Sequence, residues 1–146
     1  MLPNLYWTLL FIVTAYAFLV GTNEQRVVAA ACVLASIASI FVDSIDARFE
    51  DVEVGVFMVD VSLLILLIAV ALRSNRFWPL WIAGLHLTGV FAHFAKLLRF
   101  DLMPAAYAIA TQFWSYPIML ILMVAVWRAQ QRRGQDPSLE LDERPV

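Results

Sequence analysis

Cysteine occurs once and histidine twice in these 146 residues, and charged side chains make up only 15% of the chain. One thiol forms no internal disulfide, so cysteine usage is silent about the redox compartment. Cys32 sits inside an apolar run and reads as a small packing residue. A formal net charge of -2 with no concentrated basic face excludes nucleic-acid binding. Also missing are a nucleophile motif, a phosphate-binding loop and a zinc-ligand spacing. No H-x-x-x-H pair occurs, and Ser62, Ser115 and Cys32 have no identifiable adjacent base. Catalysis is therefore disfavoured and no metal is expected. Met1 to Asn4 lack the positive charge of a secretory signal, and the apolar segment behind them runs to about Val20, longer than a typical signal core. It is expected to remain as a span.

What is present is hydrocarbon. Hydrophobic residues reach 62%, against roughly 45–50% in ordinary soluble domains. The mean hydropathy of +0.79 leaves too little polar surface to coat a water-soluble core. The expected fold is all-α, an integral membrane protein built as a five-transmembrane-helix bundle over residues 1–127. Its spans are Pro3 to Val20, Gln25 to Val42, Val54 to Leu72, Phe77 to Leu98 and Pro104 to Trp127. About 20 helical residues at 1.5 Å each cross the bilayer core. Gly21 stops the first span, and Thr22 with Gln25 has the spacing of a capping box. Pro79 and Pro104 fall in first turns, where a missing N–H costs little. Trp78, Trp81 and Trp127 read as interfacial anchors.

Orientation follows from arginine and lysine. One set of connections holds Arg26, Arg73, Arg76, Arg128, Arg132 and Arg133, the other only Arg48, Lys96 and Arg99. The richer set is cytoplasmic, which leaves the N-terminus outside and the C-terminus inside. The expected location is the inner (plasma) membrane of a bacterium. The segment from Asp43 to Glu53, with five carboxylates against Arg48, then falls outside as a solvated acidic turn. Residues 128–146 are polar without an apolar face and are expected to form a disordered cytoplasmic tail. The basic Arg128 to Arg133 portion is able to meet anionic lipid headgroups.

Asp60 is the most informative residue, because a carboxylate inside a span costs about 2.5–3.5 kcal/mol on insertion scales unless protonated or paired. By depth it belongs with His93 and Lys96 in the outer third of the fourth span and His86 near its middle, and with Tyr107, Gln112, Trp114 and Ser115 in the outer half of the fifth, where Tyr116 follows at mid-span. His86, Gly89, His93 and Lys96 share a helical face, and a Lys96 or His93 contact to Asp60 relieves both partners. Pro117 predicts a kink in the middle of the fifth span. Gly89 offers close helix approach, and Ala31, Ala35 and Ser39 at four-residue intervals form a small-residue packing face, within the bundle or between protomers.

Three functions fit this pattern. A non-enzymatic accessory subunit or small oligomer, with Asp60, His93 and Lys96 setting helix register, ranks first; its partners are the lipid bilayer and another membrane protein or a second copy. A redox or carrier protein holding haem, a quinone or another amphiphile in the outer-half pocket ranks second. Haem fits poorly, since His86 and His93 stand about 10 Å apart along one helix and cannot be opposite axial ligands to one iron. A proton-linked transporter ranks third, because the inner halves of the third and fifth spans are nearly devoid of hydrogen-bonding side chains.

Overall fold

The computed structural model describes residues 3–46, 52–98 and 113–134, with backbone alone at residues 3, 43–46, 52–53 and 96–98. Among the described residues there are five helices and no strand: α1 Pro3–Val20, α2 Asn23–Asp46, α3 Val52–Arg73, α4 Trp78–Leu98 and α5 Ser115–Gly134.

Local chemistry sets the turns. The Gly21 N–H donates to the Ala17 carbonyl at 2.9 Å and closes α1. A Cβ at Gly21 would press on that same carbonyl, so the two-residue turn needs glycine. Gln25 folds back so that its Oε1 accepts from the Thr22 backbone N–H at 2.8 Å, one half of a capping box. The Arg26 N–H then donates to the Thr22 carbonyl at 3.0 Å and opens the α2 ladder. At the other short turn, the Ser74 N–H closes α3 on the Val70 carbonyl, while its hydroxyl donates to Glu24 Oε2 at 2.9 Å. That bond fastens the α3–α4 turn to the start of α2.

The helices close a ring. Each packs on its sequence neighbours, α5 returns to α1, and α5 also touches α2. Neighbours in sequence run antiparallel, whereas α1 and α5 run parallel: Leu9 and Val13 share a groove with Tyr116 and Pro117, and farther along the Tyr16 hydroxyl donates to Gln130 Oε1 at 3.0 Å. The dry core, including Val13, Ala17, Val28, Leu67, Ile82 and Val126, occupies the half of the ring where α1 and α3 end and α2 and α4 begin. Large apolar side chains point away from it: Phe11 is 75% exposed, Leu19 79% and Phe91 61%.

Two stretches, Asn23–Val42 and Val54–Arg73, are long and apolar enough to cross a membrane, and Asn4–Val20 is a shorter apolar helix. Two histidines and a Trp-Pro start lower the hydropathy of α4, and the described apolar part of α5 runs only from Ser115 to Trp127 before Arg128. Five helices thus answer the five expected spans, and two of them meet the length and hydropathy of a span.

Three expectations need correction. First, α2 continues to Asp46 and α3 starts at Val52, so the acidic segment is helical at both ends; residues 47–51 lie outside the described residues. Second, Pro117 sits in the first turn of α5 rather than at a mid-helix kink, with Trp114 in a turn before it. A first turn is where a proline is tolerated, since its missing N–H there costs no bond within the helix. Residues 104–112 lie outside the described residues. Third, residues 128–134, assigned to a disordered tail, continue α5 to Gly134. Arg, Ala and Gln are strong helix formers, Arg132 and Arg133 suit the negative end of the helix dipole, and glycine is a common terminator. Residues 135–146 lie outside the described residues.

Candidate functional site

Beyond the dry core, the same five helices line an open cavity of about 510 Å³. Every helix contributes to it: Tyr6 and Trp7 from α1, Cys32, Ser36 and Ser39 from α2, Asp60 from α3, His86 and His93 from α4, Ser115 and Met119 from α5. The spacing explains the convergence. Cys32 and Ser36 are one helical turn apart, and His86 and His93 are two turns apart, so each pair shares a face.

Asp60 joins α3 to α4 through two different groups. Its carboxylate Oδ2 lies 3.0 Å from His93 Nε2, with the His93 and Asp60 side chains 12% and 20% exposed. Its backbone carbonyl lies 3.0 Å from His86 Nε2. A carbonyl oxygen only accepts, so His86 carries a proton on Nε2 and donates. Phe57, one turn before Asp60, and Phe94, next after His93, stand with ring centroids 6.5 Å apart.

A second polar chain joins α1 to α2. The Ser36 hydroxyl donates to the Cys32 carbonyl at 2.8 Å, the usual back-bond of a helical serine. Its proton thus committed, Ser36 Oγ accepts from the Tyr6 hydroxyl at 2.6 Å. Tyr6 also meets Trp7 edge-on, with centroids 5.7 Å apart. The wall of the cavity is therefore made of groups that hold one another, with hydroxyl, imidazole and carboxylate on one lining and Leu63, Ile118 and Met119 on the rest.

Of the residues named from sequence, Asp60, His86, His93 and Ser115 line this one cavity. Trp114 is half-buried against Phe113, and Tyr116 lines a separate groove between α1 and α5. Tyr107 and Gln112, and the side chain of Lys96, lie outside what is described. Ala31 and Ala35 line a shallow groove with Met58, Ser62, Leu63 and Leu66 of α3, and Ala35 and Ser39 also reach the cavity. Among the described residues nothing stands within 4 Å of where a Cβ on Gly89 would be, so no described helix closes on it. Tyr6, Trp7 and Ser36 were missed by the sequence reading. The depth arithmetic applied to spans three to five, extended to the first two, puts these residues in the same half.

As a haem or metal centre the arrangement fits poorly. Both histidine Nε2 atoms already face protein oxygens, and among the described residues no three of His, Cys, Asp and Glu come close enough to hold an ion. Comparison with protein-family models, curated proteins and solved structures returned no match.

Proposed function

We propose that this protein is a non-enzymatic component of a bacterial inner membrane, a five-span bundle with the N-terminus outside and the C-terminus in the cytoplasm. It serves as an accessory subunit or small oligomer. Membrane embedding is supported by inverted polarity: hydrogen-bonding side chains face the interior cavity while phenylalanine and leucine face out. The observation that carries the functional reading is the double bond of α4 to Asp60, through carboxylate and carbonyl, which satisfies the ionisable groups within the chain and fixes the register of two helices. Groups so engaged hold a scaffold together; they are not set out for turnover.

Purification in mild detergent with native mass measurement tests it. A defined assembly, of copies or with a second membrane protein, is expected, and Asp60→Leu should weaken it along with thermal stability. A monomer without partner, whose assembly state is indifferent to Asp60, would remove the accessory role.

The cavity itself favours a second reading. At about 510 Å³ it lies within the usual range of ligand pockets, and its mix of Tyr6, Ser36, Trp7 and Met119 suits the polar end of a quinone-like amphiphile. Solvent extraction of the purified protein should then yield one stoichiometric small molecule, lost in Ser36→Phe, which fills the space. A colourless preparation that yields only bulk lipid would end this reading.

A further inference from the structure

We infer that the opposite rim of the bundle carries a binding site for an anionic phospholipid, seated between the start of α4 and the end of α5. The inference rests on the membrane reading above and concerns a different place. There a cavity of about 690 Å³ is lined by Arg76, Arg128 and Arg132 at one level and by Trp81, Leu120 and Val124 at the next. Leu120, Val124, Arg128 and Arg132 follow one another at four-residue intervals, so a single stripe of α5 passes from aliphatic to cationic.

The charge is one-sided. Among the described residues no carboxylate lines this cavity, and three guanidinium groups offer the planar fork that pairs with phosphate oxygens. Trp78, also in the lining, has a buried indole N–H with no acceptor among the described residues. The apolar part opens sideways, with Trp81 68% exposed, as an acyl chain lying along the protein requires. A free phosphate would use the arginines and leave this groove bare. A diacyl phospholipid with a net negative headgroup occupies both halves, and charge complementarity with an adjoining hydrocarbon track selects it over a neutral lipid.

The test is native mass spectrometry of the full-length protein released from nanodiscs of equal phosphatidylglycerol and phosphatidylcholine with identical acyl chains. Phosphatidylglycerol should be retained over phosphatidylcholine by about tenfold, and inorganic phosphate should not displace it. Arg128→Gln should lower the preference and the combined Arg76→Gln, Arg128→Gln, Arg132→Gln variant should abolish it. Arg133→Gln, equal in charge but outside the lining, should keep it. Equal retention of both lipids, displacement by phosphate, or an equal loss in Arg133→Gln and Arg128→Gln would each overturn the site. If the triple variant fails to fold, the two single variants decide. A chain that stays monodisperse in water without detergent removes the membrane reading and the lipid site together, whereas one that reconstitutes yet retains both lipids equally removes only the site.

Discussion

At Asp60 a backbone carbonyl serves one histidine and a side-chain carboxylate another, so substitutions separate the two contributions. Asp60→Leu leaves the carbonyl contact with His86 intact and removes the one with His93. A cycle of Asp60→Leu, His93→Ala and the double variant should give a coupling of about 0.6–1.7 kcal/mol, the range of interhelical hydrogen bonds in membranes. Unfolding in mixed micelles measures it, and strictly additive losses would mean that the pair contributes nothing. Asp60→Asn should lose less, because its amide oxygen still accepts. The Tyr6–Ser36 bond makes a second prediction. Tyr6→Phe should cost about 1 kcal/mol, and Ser36→Ala at least as much, since it strands the Tyr6 hydroxyl. A milder Ser36→Ala in the same unfolding assay would show that Tyr6 finds another acceptor. Asp60 and the two histidines were legible in the sequence because ionisable groups in an apolar run stand out. Tyr6 and Ser36 were not, since neither a tyrosine near a helix start nor a helical serine is unusual alone. Only the packing of α1 on α2 brings them together.

The helices themselves were readable to within a few residues wherever a turn signal was explicit. Gly21, Thr22 and Gln25 marked the α1–α2 turn because each has a distinct steric or hydrogen-bonding task there. Gly21→Ala should lower stability by about 1–3 kcal/mol through the clash with the Ala17 carbonyl. An unchanged melting temperature in detergent would show that the turn relaxes freely. Less legible was the far end of α5. Polarity after Trp127 was taken for disorder, yet helix propensity continues without an apolar face, and Tyr16 meets Gln130 in this stretch. Pro117 misled for a related reason: in sequence it lies inside an apolar run, but in the chain it marks a beginning.

Over the whole molecule, large apolar side chains such as Phe11, Leu34 and Phe91 are exposed around the apolar core, and what covers them is open to chemical mapping. In a Cys32→Ala background, single cysteines at Phe11 or Leu34, both outward-facing, should resist a membrane-impermeant maleimide in intact cells and react once detergent is replaced by denaturant. A cysteine at Gly134 should react only from the cytoplasmic side. Rapid labelling of Phe11→Cys in intact cells would place that face in water and remove the bilayer from the account. Hydropathy made the five described helices legible. It did not show how they close on one another, because that depends on α5 meeting both α1 and α4.

The parallel seam between α1 and α5 also has a consequence for biogenesis. During synthesis α1 waits for α5, since Tyr16 and Gln130 are 114 positions apart. Until then a nascent chain holds four helices around an unsealed slot, with Asp60 and its histidines facing whatever fills the gap. Quality-control factors would meet the protein in that form for as long as α5 is unmade.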